Sequence, residues 1–319
     1  MPRAIEEVSG STMGHVGLGY RGNGVGSVRQ QVHDGDTLEV RAIGNFGVRL
    51  LGVDAPEMSF SLPGESDYTE LSDPKWDAFL SDPFARGLPP FNPALASGLR
   101  RHLRACVGAG TAATHYRHAV AAREALEEEI LKDVRALGQT EETFQFLLVF
   151  PYEVKDRYGR FLALINRDQP DPSVPEPRPP AYNLRLLRQA KVCPFFVWPN
   201  IDLFRKMGSL VKAVIPPGKA NEIAEGDETL RQVRQSMRNA RKLKIGIFDG
   251  NNPLKLEPFE LRLLARRFPP DRWVIDLSKS DDRLIMPQKY YTIPKTENRL
   301  FIPEEYVPLF VEAGWKRQA

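Results

Sequence analysis

The stretch Val48-Arg-Leu-Leu-Gly-Val-Asp-Ala-Pro-Glu57 constrains this chain more than any other, because it sets three charges into an apolar, strand-like run. A half-buried strand has no packing reason to carry Arg49, Asp54 and Glu57 so close together. Charges withdrawn from water must be paired, hydrogen-bonded or bound to metal. The plainer alternative is a strand that ends in an acidic turn, since Pro56 biases Ala55 away from helical backbone and itself suits a loop.

Two more charged stations flank this one. Before it, His33-Asp-Gly-Asp-Thr37 falls at a turn between strand-like segments. Asp34 and Asp36 there are either good turn residues or hard oxygen donors to a divalent cation. After it, Lys155-Asp-Arg-Tyr-Gly-Arg160 joins Thr143–Tyr152 to Phe161–Ile165, both rich in strand-forming residues. That hairpin tip is either a solvated turn or a means of aiming Arg160 back across the sheet.

Around these stations the periodicities predict a β-meander from Ser27, with strands through Val28–Val32, Leu38–Ala42 and Phe46–Leu50. Residues 1–26 are glycine-rich and are expected to be an irregular lead-in. Residues 58–91 read as loop. Helices are predicted over Pro93–Cys106, Thr114–Leu137, Asn183–Lys191 and Asp227–Lys244. The second has an apolar stripe of Ala122, Leu126, Ile130, Val134 and Leu137, and the last has an outer face of Arg231, Arg234, Arg238, Arg241, Lys242 and Lys244. Phe195, Phe196 and Trp198 form an aromatic stretch that serves either as core or as a base-stacking platform. From residue 251 a short helix, a strand and a closing helix predict a small appendage that packs on the preceding domain.

In 319 residues with 42% hydrophobic content there is material for a sizeable core, and a formal net charge of +3 is too mild to prove nucleic-acid binding. With only two cysteines, Cys106 and Cys193, neither a disulfide framework nor a Cys-based zinc site is expected. The amino terminus lacks a secretory signal pattern, and no apolar run approaches the roughly 20 residues that cross a bilayer. A cytoplasmic protein without membrane partners is therefore expected.

In their order, Asp-Gly-Asp-Thr, then Arg-Leu-Leu-Gly-Val-Asp-Ala-Pro-Glu, then Asp-Arg-Tyr-Gly-Arg, the three stations resemble the active-site motifs of the staphylococcal nuclease (thermonuclease) family. Asn183–Val192 is similar to that family's second helix and Glu228–Phe248 to its carboxy-terminal basic helix, so the resemblance spans about residues 28 to 250. It implies an α+β fold dominated by an OB-type five-stranded β-barrel with three core helices. The domain plan is then a lead-in over 1–26, a nuclease domain over 27–250 with insertions at 58–91, 109–142 and 201–224, and an extension over 251–319.

The resemblance also implies a Ca²⁺-dependent endonuclease acting on single- and double-stranded DNA and on RNA. Asp36, Asp54 and the Ala55 carbonyl would bind the ion, with Asp34, Thr37 and Asp156 in supporting places. Glu57 would act as general base, and Arg49 and Arg160 would grip the phosphate. Ala55 stands where the family commonly has threonine, which a backbone ligand tolerates. Tyr158 matches the hairpin tyrosine, whereas the family's stacking tyrosines near the last strand are replaced by Phe195 or Phe196. Arg234, Arg238 and Arg241 are the expected phosphate contacts of the basic helix. The insertion at 58–91 or the extension is the expected seat of a protein partner or regulator. A catalytically silent nucleic-acid- or protein-binding scaffold on the same barrel is the alternative.

Overall fold

The structure, a computed structural model, describes residues 4–8, 11–31, 40–150, 160–169, 171–201 and 207–318. The chain divides into two compact units, one built from residues 1–50 and 149–163, the other from 51–148 and 164–319.

The first unit consists of short strand pairs. Ile5–Val8 pairs antiparallel with Ser11–Gly14, Val16–Leu18 with Val40–Ala42, and Tyr20–Arg21 with Gly24–Val25. The expected irregular lead-in is thus corrected. Strands 16–18 gain their partners far along the chain, at 40–42, which glycine content alone does not reveal. A second correction concerns Val28–Gln31, expected as strand and found as one helical turn. Ser27 begins that turn, with its carbonyl accepting the Gln30 and Gln31 N–H groups. Val48–Leu50 runs parallel to Phe161–Ala163, and the Phe161 ring meets Phe46 edge-on at 5.1 Å.

In the second unit a large cluster of buried side chains forms a core. Phe60, Leu71, Trp76, Leu80, Leu99 and Leu103 share it with Leu256, Leu261, Leu264, Val274, Tyr290 and Phe301. The segment after Glu57 is therefore not the loop that its Pro and Ser-Asp content suggests. Ser59–Ser61 pairs with Tyr68–Glu70, and Pro74–Ser81 is a helix that buries Trp76, Phe79 and Leu80. Asp73 caps this helix by accepting the Lys75 N–H, and Pro74 fits the first turn, where no N–H is needed.

Residues 251–319 supply four strands of a five-stranded sheet ordered Phe196–Val197, Arg299–Ile302, Trp273–Asp276, Arg283–Ile285 and Lys316–Gln318. The Phe196 strand joins parallel at Leu300, and the central pairings are antiparallel. Trp198 is sealed beneath, its indole N–H donating to the Ala213 carbonyl at 2.8 Å.

Helices Ser97–Cys106, Thr111–Ala136, Tyr182–Arg188, Glu228–Leu243 and Pro258–Arg266 complete this unit. The Thr111–Ala136 helix buries Ala112, His115, Ala119, Ala122, Asp133 and Val134, while Leu126 and Ile130 stay partly exposed. Among the described residues the strands fall into sheets of two to five, none closed into a barrel. No helix there is long and apolar enough to cross a membrane.

Candidate functional site

Asp54 is placed by a short, tightly tied segment. Gly52 has φ +71, a left-handed conformation that L side chains rarely adopt, and the Phe196 ring packs over it. On either side, the Asn183 amide donates to the Leu51 carbonyl at 2.9 Å and the Phe195 N–H donates to the Gly52 carbonyl at 2.9 Å. The chain then pairs Val53–Asp54 antiparallel with Cys193–Pro194. This holds the Asp54 carboxylate in a buried position. Ala55 is exposed and Pro56 buried, and the chain reaches Glu57, which is partly exposed.

Asp54 and Glu57 converge on one cationic group, Arg262 of the Pro258–Arg266 helix. Its Nη2 donates to both Asp54 oxygens at 2.9 and 2.8 Å, and its Nη1 donates to Glu57 Oε1 at 2.6 Å. Burial pulls the Arg262 pKa down, but the charges of Asp54 and Glu57 outweigh it and leave the guanidinium above its ordinary value. Carboxylate oxygens are the donors a hard divalent ion takes, and here both carboxylates are held by the guanidinium.

Behind Glu57 stands His115, fully enclosed on the Thr111–Ala136 helix, whose Nε2 accepts the Glu57 backbone N–H at 2.9 Å. Burial first, and the Arg262 charge second, push His115 down to about 3 against the opposing pull of Asp54. Neutral His115 can accept; protonated, it cannot. The unfolded chain therefore takes up this proton first. The stability contributed by neutral His115 is intact above about 6.5 and is lost as the pH falls toward about 3. Between pH 7 and pH 5 the loss should reach about 2 kcal/mol. Denaturant unfolding at the two pH values should show it in the native protein, and His115→Gln, which keeps an acceptor but cannot titrate, should remove that share. An equal pH dependence in both proteins would refute the assignment.

In the first unit Arg49 lies in register with Leu162, and Phe161 donates its N–H to the Gly47 carbonyl at 2.8 Å. Carried back one residue, the register sets Arg160 opposite Gly47. Residues in register on parallel strands share a face, as do residues two apart along one strand, so Arg49 and Arg160 face the same side. The Arg160 stem passes so close to Gly47 that a Cβ there would stand 3.2 Å from Arg160 Cγ.

Asp34, Asp36 and Thr37, with Asp156 and Tyr158, lie outside the described residues. The proposed nucleic-acid contacts fare differently from one another. Phe196 is buried, and Phe195 packs at 4.7 Å on Phe301 and 5.7 Å on Phe259, so both serve the core. Arg234 is buried and donates to Asn298 and Glu225. Arg241 forks onto Glu297 at 3.0 and 2.9 Å. These two arginines tie the basic helix to the Thr296–Asn298 turn, and this corrects the expectation that they face phosphate. Arg238 is exposed and takes part in a bond to Gln235.

Sequence reasoning missed Arg262 and His115. Arg262 lies more than two hundred residues from Asp54 within an ordinary amphipathic helix, and His115 follows a glycine-rich turn with no motif around it. No known protein family, curated protein or solved structure matches this chain.

Proposed function

We propose that this protein is a Ca²⁺-dependent nuclease that hydrolyses phosphodiester bonds of DNA, and of RNA, on an OB-type barrel in the cytoplasm. The observation that carries the reading is the convergence of Asp54 and Glu57 on a single cationic group. It is supported by the common face of Arg49 and Arg160 and by the order of the three charged stations in the sequence.

In this reading Asp54, Asp36 and the Ala55 carbonyl would hold the ion, which would supply positive charge to an increasingly anionic phosphate. Glu57 takes the proton of the attacking water, its backbone fixed by His115. Arg49 and Arg160 meet the phosphate oxygens as planar forks, a geometry that lysine cannot copy. Asp34, Thr37 and Asp156 would be supporting residues, and Tyr158 and Arg238 would touch the nucleic acid.

The test is digestion of plasmid and of single-stranded DNA in Ca²⁺ and in chelator. Cleavage should require the metal, and Glu57→Gln should slow it about 10²-fold or more, the usual scale for losing a general base. Undiminished cutting in chelator, or by the variant, refutes the mechanism.

Arg262 favours a second reading. A guanidinium already seated on both carboxylates is what a catalytically silent nucleic-acid- or protein-binding scaffold would keep. Calorimetry separates the two: the scaffold predicts no divalent binding at Asp54 together with DNA affinity that falls steeply with salt.

A further inference from the structure

Away from Asp54, the Ser97–Cys106 helix presents His102 and Cys106 one turn apart, on the same face, toward Glu260 of the Pro258–Arg266 helix. One donor atom from each of the three lies within 4.8 Å of the others. His102 Nε2 is 2.7 Å from Glu260 Oε1 and 3.9 Å from Cys106 Sγ. Around tetrahedral zinc, with bonds of about 2.0–2.3 Å, such donors stand about 3.3–3.6 Å apart, so small side-chain adjustments bring all three onto one ion.

The surroundings fit a metal better than a nucleophile. A Cys–His–acid relay engages the two different ring nitrogens of the histidine. Here one nitrogen faces both the sulfur and the carboxylate. Burial, with the nearby charges of Glu260 and Glu257, pushes the Cys106 thiol up to about 12, so without a metal it is not a nucleophile.

Glu260 is fully buried and held from behind. Its Oε2 accepts the Glu257 N–H at 2.9 Å, and Oε1 accepts the Tyr290 hydroxyl at 2.6 Å. The His102 ring is stacked on Tyr291 at 4.9 Å. Such outer contacts orient ligands in metal sites. The His102 side chain is 25% exposed, which leaves an entry path and room for water at a fourth position.

We propose that His102 Nε2, Cys106 Sγ and Glu260 Oε1 bind Zn²⁺, forming a metal site separate from the Asp54–Glu57 pair. A thiolate with one imidazole and one carboxylate selects Zn²⁺ over Ca²⁺, which takes oxygen ligands. On binding, the metal–sulfur bond replaces the Cys106 S–H bond and that proton leaves to solvent, while the His102 ring proton resides on Nδ1. The ion then links two helices that lie far apart in the sequence. The second of them carries Arg262, two residues beyond Glu260.

Full-length protein stripped with chelator and titrated with Zn²⁺ in calorimetry should bind one ion through this cluster. Co²⁺ in its place should give a thiolate-to-metal charge-transfer band that excess Zn²⁺ abolishes. Cys106→Ser should lose the band, and His102→Gln should weaken Zn²⁺ affinity by about 10²-fold or more, beyond the usual cost of losing an outer-shell contact. The wild-type Co²⁺ spectrum reads the site even where a variant fails to fold. Absence of the band in the wild type, its persistence in Cys106→Ser, or unchanged Zn²⁺ affinity in a folded His102→Gln would overturn the proposal. Neither reading depends on nuclease activity, so the two proposals stand or fall separately.

Discussion

Asp133→Ala should cost about 3–5 kcal/mol of stability, the range for removing one partner from a buried ionic cluster. Asp133 sits in the last turn of the Thr111–Ala136 helix, yet it is buried. Its Oδ2 accepts from the Tyr182 hydroxyl and from Arg185 Nη2, each at 2.7 Å, and its Oδ1 accepts from Arg167 Nη1 at 3.3 Å. Arg167 is wholly enclosed and Arg185 nearly so. Each has a second acid, Glu176 for Arg167 and Glu129 for Arg185, but Glu176 is largely exposed and both pairs are longer than 2.9 Å. Removing Asp133 therefore takes the shared acid from two buried guanidinium groups, leaving Arg167 with Gln169 and Glu176, and Arg185 with Glu129, Asn166 and the Pro180 carbonyl. Asp133→Asn keeps the shape and one acceptor while discarding the charge, so it should fall between native and alanine. Denaturant unfolding should show a lower midpoint at unchanged slope, and a loss under about 1 kcal/mol would mean that Glu129 and Glu176 carry the cluster without Asp133.

The same residue illustrates what the sequence conceals. Hydrophobic period assigns the face of Ala122, Leu126, Ile130, Val134 and Leu137 to the core; Ala122 and Val134 are buried, whereas Leu126, Ile130 and Leu137 stay partly exposed and the helix buries His115, His118 and Asp133 as well. A count of apolar positions treats buried polar groups as solvent-facing, and their partners, Arg167, Arg185 and the Asn252 carbonyl, lie far along the chain. Helix ends leave local traces, yet the helix predicted from Pro93 begins at Ser97. Asp227 caps Glu228–Leu243 by accepting the Leu230 N–H, and Glu257 with Glu260 closes a capping box around Pro258–Arg266. Caps are local chemistry, legible within four residues. The helix at Pro74–Ser81 carries the same local signals, Asp73 before Pro74 and Trp76, Phe79 and Leu80 at helical spacing, but three Ser-Asp and Pro-rich neighbours drown them in a loop-like background.

For the site, motif order singled out Asp54 and Glu57, whose carboxylates meet one cation, and Arg49 and Arg160, whose strands lie side by side. It erred on Phe196, Arg234 and Arg241, because an amphipathic pattern does not distinguish an arginine that faces water from one that reaches a buried acid such as Glu297. It could not find Arg262 at all. A salt bridge across the chain leaves no periodic trace.

Arg262→Ala is the variant that joins fold to function. In metal-free buffer it should lose about 3–5 kcal/mol, because Asp54 is buried and both its oxygens would lose the guanidinium they accept from. Arg262→Lys should recover little of this, since a single ammonium cannot fork onto Asp54 while reaching Glu57. The proposed function adds a second expectation. If Asp54 and Glu57 form a cation site that the guanidinium fills when no ion is bound, Ca²⁺ should restore stability to Arg262→Ala in proportion to its saturation, reaching about 2.7 kcal/mol at a hundred times the dissociation constant. The native protein should gain less, because ion and guanidinium compete for the same carboxylates. Melting curves of both proteins, with chelator and across a Ca²⁺ series, carry the comparison. A variant that is destabilised but indifferent to Ca²⁺ would make Arg262 a permanent structural counter-charge and would favour the silent scaffold. A variant rescued by Ca²⁺ and faster than the native protein in plasmid cleavage would make Arg262 the restraint that residues 251–319 place on the acidic pair.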